Sequence, residues 1–217
     1  MAACVIVHLL AAASYRAGGE DLPATYFAPK AQAIADGATP YRDVPYEYPP
    51  ATLPLLLAPR ALGGTTPTGY HQSMIWLYAA VDLAIILTIG HVLRRRPPEL
   101  AAALTAWTLA MLLLGRLALT RFDIVAGLAV LAAALALERV PRLAGVALGC
   151  AGALKIGPLA GLAGMRARSR PLALAVPLAA QIAFVAATGT WGLEWVSYHL
   201  GRSPQLEPGQ RDRGHEQ

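Results

Sequence analysis

The sequence predicts an all-α protein: a polytopic bundle of transmembrane helices with about six or seven membrane segments, one of them a broken helical hairpin, and a long first extracytoplasmic loop. Three observations predict it. The 217 residues are 56% hydrophobic and only 14% charged, a balance foreign to soluble domains of this length. Several stretches of roughly 16 to 22 residues carry one ionisable group or none, the length needed to cross hydrocarbon. Arginine concentrates in the short loops between them: Arg94 to Arg96, Arg139 with Arg142, and Arg166 with Arg168 and Arg170 hold eight of the 18 basic residues. The net charge of +5 therefore reports topology, and nucleic acid is not an expected partner. No zinc-ligand, P-loop or dinucleotide spacing occurs. Cys4 and Cys150 both sit in apolar segments and read as small packing residues.

Ala2 to Ser14 is a short first transmembrane helix, without the positive flank or cleavage site of a signal peptide. Residues 15–72 form the outer loop. Within it Tyr26 to Asp36 is a short helix ended by Gly37. Pro40 to Pro50, PYRDVPYEYPP, packs three tyrosines, an arginine, two acids and four prolines into a stiff polar loop. Ala51 to Leu62 is apolar but interrupted by Pro54, Pro59 and Arg60, which suits a helix at the interface better than a span.

Ser73 to Leu93 is a span containing Asp82, stopped by Arg94-Arg95-Arg96-Pro97-Pro98. Glu99 to Leu119 is the next. Arg121-Phe122-Asp123 opens another that runs to Leu137. Leu143 to Met165 is rich in glycine, with Lys155 and Pro158 at its middle, and predicts two half-length helices meeting at Lys155. Pro171 to Thr188 is the last span. Thr190 to Gln217 reads as a polar tail, disordered over 208–217, so that one membrane domain occupies 1–207.

Placing the three arginine clusters in the cytoplasm puts the long loop, the Arg116–Asp123 turn, Lys155 and the tail on the outer face. The acids Glu20, Asp21, Asp43, Glu47 and Asp123 then share that face with Arg42, Arg116, Arg121, Lys155, His199 and Arg202. Positive charge on the side that topology disfavours needs another reason, and binding an anion is one. Arginine and lysine at helix ends can hold phosphate, and carboxylates can take a proton from a hydroxyl or bind a metal. Lys155 is the sharpest of these, because a lysine inside an apolar stretch should face a cavity or a partner. Plainer readings stand beside these. Asp21 caps a helix. The loop tyrosines sit at headgroup level, and Arg121 pairs with Asp123 across a helix start. Arg116 snorkels. Asp82 faces the bundle and bonds a neighbour, while His8 and His91 pack.

In order along the chain come Asp21 and Tyr26, then Gly37 to Asp43 running into Glu47-Tyr48-Pro49-Pro50, then Arg121-Phe122-Asp123. Gly152 to Lys155 before Pro158, and Tyr198-His199 with Arg202 and Gln205, complete the series. On these motifs the chain resembles glycosyltransferase family 87, within the C-type glycosyltransferase fold, from about residue 18 to about residue 207. The resemblance implies a plasma-membrane enzyme that moves a hexose, mannose first, from a polyprenyl-phosphate sugar to a lipid or glycan acceptor on the extracytoplasmic side, and the alanine, arginine and glycine bias suggests a GC-rich bacterial gene. It implies Asp21 as the general base for the acceptor hydroxyl. Arg42, Arg121, Lys155 and Arg202 would hold the donor phosphate. Tyr26, Tyr41, Asp43, Glu47 and Tyr48 would shape the sugar site, with Asp123 and His199 beside them. No metal site is implied, and a divalent metal is left unassigned. Family chains are longer, so the resemblance also implies that these residues are an N-terminal half. Two alternatives stay open: a non-catalytic binder of polyprenyl phosphate, or an accessory subunit. A small transporter ranks below both, since only Asp82 and Lys155 are polar near a midplane.

Overall fold

The computed structural model describes residues 1–16 and 23–201. All regular elements among them are helical, beside one isolated bridge between Pro40 and Val44. Helix α1 is Ala2–Arg16, and a π-turn at Pro23–Phe27 leads into α2, Ala28–Ala35. Gly37, at φ 101°, takes the left-handed conformation that ends α2. A 3₁₀ turn at Pro50–Thr52 precedes α3, Leu53–Ala61. Among the described residues, the stretch read as the outer loop is therefore largely helical.

Helix α4, Pro67–Leu93, begins six residues before the expected Ser73. The reason is local. Thr66 is extended and its hydroxyl accepts from the Gly69 amide at 3.0 Å, and Pro67 fills the first helical position, where no N–H is needed. Helix α5 is Pro97–Leu114 and ends five residues before the expected Leu119. Gly115, at φ 55° and ψ −132°, breaks it there, and α6, Arg116–Thr120, is a separate turn. Helix α7 is Asp123–Ala136 and α8 is Pro141–Leu154. Lys155 is extended, at φ −159° and ψ 133°, and the chain returns as a 3₁₀ segment, Gly157–Gly164. The break expected at Lys155 is present, with a 3₁₀ return in place of the second α-helix. Helix α9, Arg170–Thr188, continues through a 3₁₀ turn at Gly189–Leu193 into α10, Glu194–Gly201. The stretch read as a polar tail from Thr190 is thus helical as far as Gly201. Trp191, Leu193, Trp195 and Val196 supply apolar surface that the charge content of the tail obscured.

Among the described residues, three runs are long and apolar enough to cross a membrane: Pro67–Leu93, Pro97–Leu114 and Ala167–Leu200. The sequence count also included α1 and α7 as spans and α8 as one arm of the broken hairpin. At 15, 14 and 14 residues they fall short of the roughly 20 that a straight span needs.

Helix α4 is the centre of the larger core and packs against α1, α3, α5, α6 and α7. Tyr70, Met74, Ile75, Tyr78 and Ile86 are fully buried along it. A second cluster lies among α7, α8 and α9, around Ala133, Ala144, Leu148 and Ala173. There Gly145 and Gly149 face Ser169, Ala173 and Val176 so closely that no side chain fits between the helices. Leu113, Leu178 and Ile182 point outward, giving the apolar exterior that a bilayer solvates.

Candidate functional site

Arg121 and Phe122 join α6 to α7, and Asp123 is the first residue of α7; the three set the site. Arg121 is extended and Phe122 already has helical backbone angles; Phe122 is buried, Asp123 is exposed and Arg121 is half-buried. The Phe122 ring packs against Phe27 at 5.1 Å and Tyr48 at 5.0 Å between centroids. Those contacts tie the start of α7 to the π-turn and to the proline-rich loop. Tyr46 extends the cluster to Tyr48, and Tyr41 extends it to Phe184 of α9.

The result is a cleft of about 390 Å³. Glu47, Tyr48, Arg121, Lys155, Trp195 and His199 carry its chemistry. Arg121 Nη1 donates to the Tyr48 hydroxyl at 2.9 Å. Lys155 Nζ forms an ion pair with the Asp123 carboxylate, closing the broken end of α8 onto the start of α7. His199 Nε2 donates to the Glu47 carbonyl at 2.9 Å, bringing α10 over the loop. In the neutral ring that donation leaves Nδ1 as the acceptor. The Tyr26 hydroxyl bonds the Glu47 carboxylate, and its pKa is pushed up by burial first and by the Glu47 charge second, so it stays a donor. Burial also raises the Tyr48 phenol, with Arg121 opposing the shift. Lys30 lies 4.3 Å from the Tyr26 ring centroid, and burial lowers its pKa.

Among the expected site residues, the structure brings together Glu47, Tyr48, Arg121, Asp123, Lys155 and His199, with Tyr26 bonded behind Glu47. Tyr41 is elsewhere. It is buried, at φ 68°, and its hydroxyl donates to the Tyr48 carbonyl at 2.6 Å. Arg42 and Asp43 pair with each other on the exposed side of the loop, outside the cleft lining. Asp21 and Arg202, with Glu20 and Gln205, lie outside the described residues. Sequence reasoning missed Trp195. Trp195 and His199 are four apart, the spacing that puts both on one face of α10. Asp82 bonds a neighbour inside the bundle, as expected, and that neighbour is the buried His8, read from the sequence as a packing residue.

A second hollow, about 460 Å³, adjoins the cleft. Trp107, Met111, Leu114, Leu117 and Ile124 make it apolar, and Arg121 and Asp123 stand at its polar end. Arg121 therefore belongs to both. The arrangement offers cations to an anion with an apolar tail and carboxylates to a hydroxyl-bearing molecule. Among the described residues no three His, Cys, Asp or Glu side chains converge as metal ligands would.

The family model described as glycosyltransferase family 87 matches residues 46–203. That range contains every side chain assigned to the cleft except Tyr26. No curated protein and no solved structure matches the chain significantly.

Proposed function

The chain belongs to glycosyltransferase family 87, a family of membrane glycosyltransferases, and from that premise we propose that it moves a hexose, mannose first, from a polyprenyl-phosphate sugar to a lipid or glycan acceptor. One observation carries the donor class: Arg121 is shared by the polar cleft and the apolar groove. A sugar linked through phosphate to a long hydrocarbon needs such a junction, with the chain in the groove, the phosphate at the guanidinium and the sugar in the cleft.

Transfer breaks the bond between the anomeric carbon and the phosphate oxygen. The electron pair leaves with the phosphate, which gains one negative charge. The acceptor oxygen forms the new bond, and its proton passes to a carboxylate. Charge thus develops on the phosphate, and cations fixed there favour the transition state over the ground state. We assign that part to Arg121 and Lys155, with Arg42 and Arg202 as further candidates from the family pattern. Lys155 is held by an exposed carboxylate, an interaction worth at most about 1 kcal/mol, so a phosphate can displace it. Tyr26, Glu47, Tyr48 and His199 would line the sugar, with Tyr41 and Asp43 shaping the loop behind them. Asp21 is the proposed general base, on the family pattern.

We further propose that α1, α7, α8 and the 3₁₀ return lie within the bilayer, giving about six or seven segments. The arginine clusters would then face the cytoplasm and the cleft the extracytoplasmic side of the plasma membrane. The test is transfer of labelled mannose from polyprenyl-phosphate mannose in membranes containing this chain. Asp21→Asn should abolish transfer at unchanged membrane expression, and full activity in that variant removes Asp21 from the mechanism. Retained binding of polyprenyl phosphate without turnover in the unaltered chain would establish the non-catalytic alternative.

A further inference from the structure

Helix α7 starts at the cleft with Asp123 and has 14 residues, so its other end lies about 21 Å away. At that far end the loop after α4 and the loop after α7 converge on a second charged cavity, of about 450 Å³. Its polar lining is Arg94, Arg95, Arg96 and Arg139, with His91 and Glu138. Glu138 is the carboxylate there, and Arg166 already bonds it. No ion pair among the described residues engages the four arginines.

Topology explains why such loops are basic. It does not explain why two loops, separated by three helices, line one hollow with four arginines. Like charges gathered this way repel, and an anion between them reverses the sign. Guanidinium forks match phosphate oxygens in pairs. Val92 and Leu135 also line the cavity and are 46% and 37% exposed, so the apolar flanks of α4 and α7 reach its rim. A soluble anion has no use for that rim.

We propose that this cavity binds the phosphate of an anionic phospholipid, with the acyl chains lying along Val92 and Leu135. The bound headgroup would fasten the α4–α5 loop to the α7–α8 loop, at the opposite end of α7 from the cleft.

Native mass spectrometry of the purified full chain, titrated with phosphatidylglycerol or phosphatidylcholine, tests this. Phosphatidylglycerol should be retained in preference. An Arg95→Gln/Arg139→Gln variant should lose about tenfold in that affinity. An Arg142→Gln/Arg168→Gln variant removes the same charge outside the cavity and should lose less than about twofold. Equal losses would mean diffuse surface charge and no site. Displacement of the lipid by inorganic phosphate at comparable affinity would make the ligand a soluble anion and overturn the lipid assignment. Independently of any variant, phosphatidylglycerol carrying a diazirine in its headgroup should label peptides containing residues 91–96 or 135–139. Labelling confined to other peptides refutes the proposal.

Discussion

The Nδ1 of His8 donates to Oδ2 of Asp82 at 2.5 Å, joining α1 to α4 in the interior of the bundle. Trp107 Nε1, from α5, donates to the other carboxylate oxygen at 2.8 Å. The Thr108 hydroxyl shares a hydrogen bond with His8 Nε2 at 3.1 Å and lies 3.2 Å from Cys4 Sγ. Three helices are thus joined through one carboxylate that is 3% exposed. A carboxylate in apolar surroundings persists only while its partners remain. His8→Leu removes one partner and should lower stability in detergent by about 3 kcal/mol. Adding Asp82→Leu to it should recover part of that loss, because no charge is then left unpaired. Losses that simply add in the double variant would show that the two residues are not coupled.

The pairing of Lys155 with Asp123 makes opposite predictions for its two members. Lys155→Gln removes a cation from the site of developing charge and leaves Asp123 to repel the phosphate. Turnover of the lipid-linked donor should fall about 100- to 1000-fold. Asp123→Asn frees Lys155 and should leave donor binding equal or tighter. Steady-state transfer assays on both variants separate the cases. Equal, large losses of turnover would mean that the ion pair acts as a structural tie.

Much of this site was legible because polar residues inside apolar sequence have few plain explanations. Lys155 announced both the break in α8 and its own place in the cleft, since a mid-segment lysine must find a cavity or a partner. Arg121-Phe122-Asp123 announced the opening of α7. Residue type could not tell which tyrosines of the loop would be buried. Tyr41 and Tyr46 pack inward while Tyr48 reaches the cleft, and Phe122 and Phe184, far along the chain, decide that. Trp195 was hidden by the charged residues after it. The early end of α5 depends on Gly115 taking a positive φ, which the composition of the segment does not reveal.

Asp43 gives a prediction about pH. Arg42 donates to both of its carboxylate oxygens at 2.9 Å, and the Thr39 amide donates at 2.8 Å. The Arg42 hydrogen bonds, with that amide second, hold its pKa at about 2. A carboxyl depressed in the folded state stabilises above its ordinary value of about 3.9 and ceases to do so as the pH falls through its folded value. The turn should therefore be insensitive to pH throughout the neutral range and loosen only in strong acid. In Arg42→Gln the midpoint should move up toward the ordinary value. A carboxyl carbon titration by NMR reads it directly, and an unmoved midpoint would assign the depression to the Thr39 amide.

The packing of α8 on α9 gives the last prediction. A Cβ on Gly149 would lie 2.7 Å from the Val176 Cβ and 3.0 Å from the Ala173 carbonyl oxygen, closer than atoms can rest. Both are parts of α9, so no flexible side-chain end can swing aside. Gly149→Ala must push the helices apart, and the expected loss is about 1–3 kcal/mol. The displacement also has a functional reading. Helix α8 ends at Leu154, and Lys155 follows it into the cleft. A shift of α8 should therefore weaken transfer as well as stability, although Gly149 lines neither hollow. Gly164→Ala is the control, since nothing lies within 4 Å of a Cβ there. Thermal unfolding and transfer assays on the two variants should separate cleanly, with Gly149→Ala impaired in both and Gly164→Ala in neither. Equal stability in the two would show that α8 and α9 can part without loss, and that their close approach does not hold Lys155 in place.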